Sequence, residues 1–294
     1  MDPPKFLIQA SEAQSMAEAA SLTLPELLPT LVSAAQTLAR PPISNYRVAA
    51  VGLGSSGRIF VGVNLEFPGL PLHHAVHAEQ FLVTNLSLNA EPRLVSLAVS
   101  AAPCGHCRQF LQEVRGAGDV EILVTSHSTQ QFSPLSRFLP HSFGPSDLQH
   151  LDSPLLLEPH HNALTLPQHV ALPPHKLKLP ALDAANKSHA PYSASPSGVA
   201  LLDSLGNVFQ GSYVESAAFN PSLGPLQAAL VAFVAGGGHD YHRIVDAVLV
   251  EKDAAAIKQE DTARLLLQSI SPNCHLTTFL CHSQPHSDQL NFSL

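Results

Sequence analysis

The chain has no tryptophan and little charge, and its basic residues are few. Charged residues make up only 13% of the 294 residues, with 15 Lys and Arg against 23 Asp and Glu, which gives a net charge of −8. Because nucleic-acid-binding proteins draw much of their affinity from Lys and Arg on phosphates, this balance disfavours that class without excluding a small basic patch. Apolar residues still reach 45%, enough for the core of one large domain or two ordinary ones.

Long apolar runs are also missing. No stretch of about 18 apolar residues is present, so we expect no membrane-spanning helix. The first residues, MDPPKFLIQASEAQ, lack a basic region followed by an apolar run, so we expect no secretory signal and a cytoplasmic protein. Only four cysteines occur, and two of them, Cys104 and Cys107, form a C-x-x-C, which in such a chain indicates metal or redox chemistry before a disulfide. The others, Cys274 and Cys281, lack a His at metal spacing and are expected to be buried free thiols.

Helical patterns come first in the chain. Ser11 stands three residues before Gln14, a capping-box pattern that predicts the start of one helix. A second helix is predicted from near Pro25 to the Pro41-Pro42 pair. We therefore treat residues 1–42 as an N-terminal helical segment.

The next part of the chain alternates strand and helix patterns. A hairpin is predicted around GLGSSG, then a helix from His77 to about Asn89, a strand in RLVSLAVSA, a helix opened by Pro103 and a strand in VEILVTS. The order ββαβαβ predicts a mixed sheet with helices packed on it. We assign residues 43–150 to this first, catalytic domain.

Residues 126–180 hold nine prolines and seven histidines with little periodicity, which predicts an extended connection partly packed on the surface. We take residues 151–182 as a linker. Its histidines are expected to be solvated loop residues rather than metal ligands (His160, His161, His169 and His175).

An internal repeat follows the linker. GRIFVGVNLE at 57–66 resembles GNVFQGSYVE at 206–215, 149 residues later, and further strand and helix patterns follow in HRIVDAVLVE, DTARLLLQSI and LTTFLC. At the same offset, His77 falls on Leu226 and Glu79 on Ala228, and the second half has no C-x-x-C. We therefore expect residues 183–294 to form a second domain on the same plan, degenerate and without chemistry of its own.

Cys104 and Cys107 are three residues apart at a predicted helix start, so their sulfurs face one side. Unpaired N–H groups at a helix N-terminus favour thiolates, the form that binds zinc. Taken alone, the C-x-x-C fits a redox pair or two core thiols equally well.

His77 adds a third ligand, because two helices that flank one strand can bring their N-terminal ends to the same sheet edge. A structural zinc site uses four protein ligands, whereas three leave a position open for water, as in catalytic sites. Zn²⁺ with two thiolates and one neutral imidazole is also electrically neutral.

Glu79 lies two residues after His77, so the two side chains point to different faces of a helix and can approach one metal only at its end. Alone, an H-x-E is more often a surface glutamate at a helix start. Beside P-C-x-x-C, the carboxylate is suited to move the protons of a metal-activated water without binding the metal.

The combination H-x-E…P-C-x-x-C is the signature of the zinc nucleobase deaminases. With SNYRVAAV, GVNLEF, VHAEQ, PCGHCRQF and LPHSFGPSDL, the chain resembles cytidine deaminase of the dimeric, two-domain type found in bacteria and plants. The match covers nearly the whole chain and is weakest across 150–180 and at both termini. It implies an α/β protein of duplicated α/β/α domains with mixed five-stranded sheets, one Zn²⁺ per chain and a homodimer.

The resemblance also implies site residues. His77, Cys104 and Cys107 would bind zinc, and Glu79 would be the catalytic proton shuttle. Three positions in the first half would hold the substrate: Asn64 and Glu66 on the sugar, although spacing alone favours a polar strand end that meets a turn, and Tyr46 on the pyrimidine. The family usually has Phe at the position of Tyr46. Ala218 and Phe219, in SAAFNPSL, would reach the pocket of the partner chain.

We therefore expect hydrolytic deamination of cytidine and 2′-deoxycytidine in pyrimidine salvage, with no nucleic-acid or membrane partner. One alternative is a deaminase of nucleotides or polynucleotides, which the net negative charge and Glu66 beside the sugar disfavour. Another is a non-catalytic, zinc-stabilised dimer module, which has no need of Glu79.

Overall fold

Two mixed β-sheets organise the chain in the computed structural model, which describes residues 4–127, 131–167 and 175–283. The first sheet has the order β1-β3-β2-β4-β5-β6. Its strands are β1 (Leu7–Ile8), β2 (Ala49–Gly54), β3 (Ile59–Val63), β4 (Leu94–Val99), β5 (Glu121–Val124) and β6 (Ser133–Pro134). The helices of this half are α1 (Ala10–Ala20), α2 (Leu24–Ala35), α3 (Ala78–Leu88), α4 (Gly105–Phe110), α5 (Leu135–Phe138) and α6 (Pro145–Leu148).

The second sheet repeats this plan. Its strands are β7 (Leu164–Thr165), β8 (Ser197–Asp203), β9 (Val208–Ser212), β10 (Ile244–Lys252) and β11 (His275–Ser283), in the order β7-β11-β10-β8-β9. Its helices are α7 (Lys178–Asn186), α8 (Pro225–Ala235) and α9 (Glu260–Ile270). The run β3-β2-β4-β5 matches β9-β8-β10-β11, and β4–β5 and β10–β11 are the parallel pairs in the two runs. The predicted duplication, the mixed sheets and the ββαβαβ order are therefore confirmed.

The first sheet has six strands where five were predicted. The extra strand comes from the N-terminal segment, because Leu7–Ile8 pairs antiparallel with Ile59–Phe60 of β3. Two apolar residues are too short a run to produce a period-2 pattern, so the sequence gives little warning of this edge strand.

The predicted start of the first helix is wrong. The structure begins α1 at Ala10 with Gln9 as its N-cap, which places Ser11 inside the first turn, where its side chain cannot cap the helix. The capping box is instead at α2, where the Thr23 side chain accepts from the backbone N–H of Glu26 and the Glu26 carboxylate accepts from that of Thr23.

The predicted domain boundaries stay a prediction, and two features of the fold bear on them. The described part of the predicted N-terminal segment packs with the first sheet, since β1 pairs with β3 and α2 packs against β2. The predicted junction between 182 and 183 falls inside α7, which packs on β8 of the second sheet.

The two halves share one hydrophobic core, which includes Phe81 and Phe110 of the first half and Leu230 and Phe233 of the second. Helix α3 packs directly against its duplicate α8. The first half therefore completes its core with a helix from the second, and neither half is an independently closed unit.

A glycine in each half lets a helix approach the sheet. At Gly62 in β3, an added Cβ would lie 2.2 Å from the carbonyl oxygen of Ala78 and 2.4 Å from the N atom of Leu82 in α3. At Gly211 in β9 it would lie 2.4 Å from the carbonyl oxygen of Pro225 and 2.0 Å from the N atom of Ala229 in α8. Because these contacts are to backbone, α3 and α8 could accommodate a methyl group only by moving away.

We predict that Gly62→Ala and Gly211→Ala both lower the free energy of unfolding by about 1–3 kcal/mol, the usual cost of overpacking. Only Gly62→Ala should also weaken metal binding, because α3 begins next to His77 whereas α8 carries no ligand. Urea unfolding and zinc content on the same preparations check this. Wild-type zinc content and stability in Gly62→Ala would contradict it.

Candidate metal centre

Two helix starts meet at one edge of the first sheet. His77 is the N-cap of α3, and the segment entering it is fixed by a bridge between Leu65 and Val76. Cys104 is the N-cap of α4, which follows β4. The predicted convergence of these two helices beside one strand is what the structure has.

The three predicted ligand atoms form a compact triangle. The Sγ atoms of Cys104 and Cys107 are 3.6 Å apart, and they lie 3.4 and 3.3 Å from Nδ1 of His77. Tetrahedral zinc with Zn–S bonds of about 2.3 Å and Zn–N bonds of about 2.0 Å places neighbouring ligand atoms about 3.5–3.8 Å apart. The donor set therefore fits zinc, with Nδ1 rather than Nε2 of the imidazole as the ligand.

The ligand groups shift one another's pKa. The hydrogen bond between the two sulfurs lowers the pKa of Cys104 to about 3, against the effect of burial and helped by the bond to His77. The same bond, with burial, raises the pKa of Cys107 well above its ordinary value. The bond to Cys104 also raises the pKa of His77. A divalent cation would take the place of the shared protons, because thiolates and a neutral imidazole are the binding forms.

Glu79 lies beside this triangle but outside it. Its side chain is 3% exposed, and its Oε2 accepts a hydrogen bond from the Cys107 thiol at 3.2 Å. Burial raises the pKa of the carboxyl group, and the backbone N–H of Glu79 and the Cys107 thiol oppose that rise. The carboxylate therefore contacts one of the three predicted ligands without belonging to the triangle.

A cavity of about 240 Å³ opens in front of the centre. Its lining includes five of the predicted site residues: Tyr46, Asn64, Glu66, His77 and Glu79. Tyr46 is 60% exposed, so its ring is free to contact a ligand.

Asn64 and Glu66 already have structural partners in this cavity. The Asn64 side chain accepts from the backbone N–H of Val48 at 2.9 Å and donates to the carbonyl of Tyr46 at 3.0 Å. The Glu66 carboxylate accepts the backbone N–H groups of Ile43 and Ser44, each at 2.9 Å, and the Ser44 hydroxyl at 2.5 Å. Burial acts to raise the pKa of Glu66, but these hydrogen bonds outweigh it and lower the pKa, so the group is ionised at neutral pH.

The hydrogen bonds from Ile43 and Ser44 to the Glu66 carboxylate, here called the Glu66 clamp, have a counterpart in the second half. Glu215 accepts from the backbone N–H groups of Tyr192 and Ser193 at 2.8 and 3.1 Å, and from the Ser193 hydroxyl. Because the described residues of the second half contain no group of three metal ligands, the clamp itself is a feature of the fold, and in the first half it holds the loop that presents Tyr46.

The second half has no metal ligands at the duplicated positions. The offset of 149 residues relates the strands of the two halves but not the helices that follow them. The connection from β9 to α8 is two residues shorter than that from β3 to α3, so α3 and α8 are related by an offset of 147. The backbone approaches at Gly62 and Gly211 pair Ala78 with Pro225, so the counterparts of His77 and Glu79 are Gly224 and Leu226. Within residues 4–127, 131–167 and 175–283, His77, Cys104 and Cys107 form the one group of three possible ligands whose donor atoms lie within 4.8 Å of one another.

The other predicted histidines and cysteines lie apart from the centre. His160 Nε2 bonds the carbonyl of Leu155 at 3.0 Å, and His175 lies 3.4 Å from Asp246. His169 falls outside the described residues. Cys274 and Cys281 are both free thiols, as expected, but only Cys281 is buried and Cys274 is half-buried; burial raises their pKa to about 12 for Cys274 and about 11 for Cys281.

Ala218 and Phe219 are not part of the cavity lining in their own chain. Phe219 is 68% exposed and has a φ of 62°, in the left-handed region that non-glycine residues seldom adopt. Two side chains that the sequence did not single out hold this loop, Gln80 and Glu113. Gln80 directly follows the H-x-E motif, whereas Glu113, in FLQEVRG, carries no local signal.

None of the helices in the described ranges is long and apolar enough to cross a membrane.

Comparison with known families gives matches over both halves. The model "Cytidine and deoxycytidylate deaminase zinc-binding region" matches in two forms, one over residues 24–123 and one over 135–264. The second match falls on the half without ligands, so it reflects the shared fold of the two copies.

Curated relatives match nearly the full length. Cytidine deaminase 1 of Arabidopsis thaliana is 56% identical, over 96% of this chain and 99% of its own length. Cytidine deaminase of Photorhabdus laumondii is 40% identical, over 90% of this chain and 86% of its own. Among solved structures, cytidine deaminase from Mycobacterium leprae is 28% identical, with a TM-score of 0.35, over 39% of this chain and 96% of that chain.

We predict about one zinc per chain, held in the first half, because three protein ligands there leave one open position. Cys107→Ser should lose the metal and destabilise the surrounding fold, since site assembly and folding are coupled. Cys281→Ser, at a buried thiol of the second half, is the matched control and should keep it. Elemental analysis near two or near zero zinc per wild-type chain, in protein purified without chelator, would contradict the assignment.

Proposed function

The chain belongs to the cytidine and deoxycytidylate deaminase family, and from that premise we propose that it hydrolyses cytidine and 2′-deoxycytidine to uridine and 2′-deoxyuridine, with release of ammonia. The observation that carries the proposal is the buried Glu79 carboxylate beside a His/Cys/Cys triangle of zinc-like spacing. Metal binding by itself has no use for this carboxylate. A non-catalytic zinc module is therefore the weaker reading.

His77, Cys104 and Cys107 would hold zinc, which would supply a Lewis acid that activates water at neutral pH. Glu79 would accept one proton from the attacking water and pass it to N3 of the pyrimidine as the oxygen adds to C4. Glu79 would then carry the remaining proton of the added hydroxyl to the amino group on C4, so that the C4–N bond breaks, C4 keeps the oxygen as a carbonyl and ammonia leaves. Burial suits Glu79 to this role, because a raised pKa brings a carboxyl group closer to the operating pH.

Substrate positioning falls to the cavity residues. The Tyr46 ring is exposed and free to stack on the pyrimidine. The Oε1 of Glu66 has a single partner, the Ser44 hydroxyl, so it retains the capacity to accept from a sugar hydroxyl. Asn64 supports the same loop, so its contribution to sugar binding includes shaping the cavity as well as contacting the substrate.

A nucleoside suits this cavity better than a nucleotide. The hydrogen bonds that lower the pKa of Glu66 keep it anionic at neutral pH, and an anionic group at the sugar end repels phosphate. The net charge of −8 disfavours polynucleotides for the same reason. Offering cytidine, CMP and single-stranded DNA separately, and following ultraviolet absorbance, tests this choice, and faster turnover of CMP than of cytidine would reverse it.

The homodimer is the second part of the proposal, with Ala218 and Phe219 completing the partner's pocket. Its support is the exposed, left-handed Phe219 on a loop that lies outside the cavity of its own chain. Pyrimidine salvage in the cytosol is the third part, and it rests on the resemblance alone.

We predict that Glu79→Gln keeps zinc and substrate binding but lowers the rate of deamination by about 10² to 10⁴, the scale of general acid–base catalysis. The amide keeps the volume and cannot carry a proton. Cytidine turnover, zinc content and thermal unfolding are measured on the same sample. Glu91→Gln is the control, since Glu91 is equally buried but pairs with Arg58 away from the centre. A zinc-replete, folded Glu79→Gln within about tenfold of wild type would show that Glu79 is not the shuttle.

We predict that Glu79→Gln and Phe219→Ala chains, each impaired alone, regain activity when unfolded and refolded together. A mixed dimer contains one pocket with both an intact Glu79 and an intact Phe219 if the loop acts on the partner. The deamination rate of the mixture, compared with each variant refolded separately, measures this. If Phe219 served only its own chain, mixing would restore nothing.

A further inference from the structure

The loop of residues 216–222, between β9 and α8, is held by two side chains of the first half. Glu113 Oε1 accepts from the backbone N–H of Ala217 at 2.7 Å. Gln80 Nε2 donates to the carbonyl of Pro221 at 2.9 Å. Since Gln80 directly follows Glu79 and Glu113 follows α4, both anchors come from the elements that build the metal centre.

Both anchors are fully buried, and Glu113, which is 0% exposed, has further partners in the second half. Its other oxygen, Oε2, accepts from the Tyr192 hydroxyl at 2.7 Å and lies 3.1 Å from Nε2 of His189. All three partners belong to the second half. A buried charge needs such partners to be tolerated, and once they are in place its position is fixed tightly.

The loop between the anchors is a tight turn with a strained tip. Phe219 donates its N–H to the carbonyl of Ser216 at 2.8 Å and accepts from the N–H of Ser222 at 2.9 Å. The Ser222 hydroxyl accepts from the N–H of Ser216 at 3.0 Å and closes the turn. A non-glycine residue in the left-handed region persists only where its surroundings enforce it, and Phe219 is such a residue.

We propose that Glu113 is a positioning residue for the deamination reaction: by holding Ala217, it fixes the 216–222 loop so that Phe219 is presented to the partner's pocket in one conformation. A side chain ordered before binding loses less entropy when the complex forms, so the anchor improves substrate binding without touching substrate. This inference rests on the proposed function, because Phe219 must act on the pocket for its position to matter.

The alternative is that Glu113 serves only to join the two halves. That role would affect stability alone and would be shared by every member of the network. Tyr192→Phe is the matched control, because it removes the hydroxyl that donates to Oε2 and leaves the Ala217 contact on Oε1 unchanged. We expect it to lower stability while KM for cytidine stays at the wild-type value.

The test compares Glu113→Leu and Glu113→Gln in the full-length protein. Leucine removes the acceptor for Ala217 and should raise KM for cytidine about tenfold, the scale of one hydrogen bond to a charged group, with zinc content unchanged. Glutamine keeps an oxygen for the Ala217 N–H and should restore KM to within about threefold of wild type. Equal KM in the leucine variant and the wild type would overturn the proposal.

A double-mutant cycle with Phe219→Ala decides whether Glu113 acts through Phe219. If it does, Glu113→Leu has no further effect on kcat/KM once the phenyl ring is gone, whereas independent sites give effects that multiply. Multiplying effects would therefore overturn the proposal even if Glu113→Leu raises KM.

Ser222→Ala covers the case in which Glu113→Leu fails to fold. It opens the same loop from within by removing the bond to the Ser216 N–H, and it buries no charge. We expect raised KM and the same loss of effect in the Phe219→Ala background, and multiplying effects would again overturn the proposal. A wild-type protein that binds zinc yet does not deaminate cytidine would instead contradict the proposed function. Failure of the proposed function and failure of the role of Glu113 are therefore distinguishable.

Discussion

The site depends on how closely α3 approaches the first sheet. Gly62 has no side chain, so the backbone of α3 lies against β3, and the start of that helix brings His77 and Glu79 to the sheet edge where α4 begins. One helix start supplies an imidazole and a carboxylate, and the other supplies two sulfurs. Because each ligand is at or just inside a helix N-terminus, the positive end of the helix dipole also favours the negative charge that the thiolates carry. The metal centre is thus a consequence of helix placement more than of any local loop.

The second half has the same close approach of a helix to the sheet but no metal ligands at the corresponding positions. Gly211 permits the same approach of α8 to β9, and Glu215 repeats the clamp of Glu66, yet Gly224 and Leu226 stand where a ligand and an acid would be needed. The copy has kept the features that build the fold and lacks those that bind metal. Residues that build the fold can therefore be told apart from residues that bind metal within a single chain. Because Glu215 makes the same contacts as Glu66, Glu66 has a folding role that a sugar contact alone does not explain.

Much of the fold and the ligand set could be predicted from the sequence, and the reasons for the rest are physical. The nearly continuous apolar run of β10 and the amphipathic pattern of α9 make these long elements clear in the sequence, and the H-x-E and C-x-x-C spacings match the helix-end geometry of the metal centre. The two-residue β1 is too short to show periodicity. At Ser11 the capping pattern misled, because α1 begins one residue earlier, at Ala10, with Gln9 as its N-cap. The fixed offset between the halves failed because loops change length while the helix–sheet contact does not. Gln80 and Glu113 were missed because the loop that they hold lies more than a hundred residues away in the chain, and only the folded structure brings them together.

The packing of α3 against α8 has a consequence for how the chain is made. When α3 has been synthesised, about 150 residues must still be added before α8 is complete, which takes roughly 7–30 s at about 5–20 residues per second. During that interval the face of α3 that packs against α8 has no partner, so an apolar surface of the first half stays exposed. The core of the first half is therefore completed only after Pro225–Ala235 has been added to the chain, which makes α8 a late partner in folding.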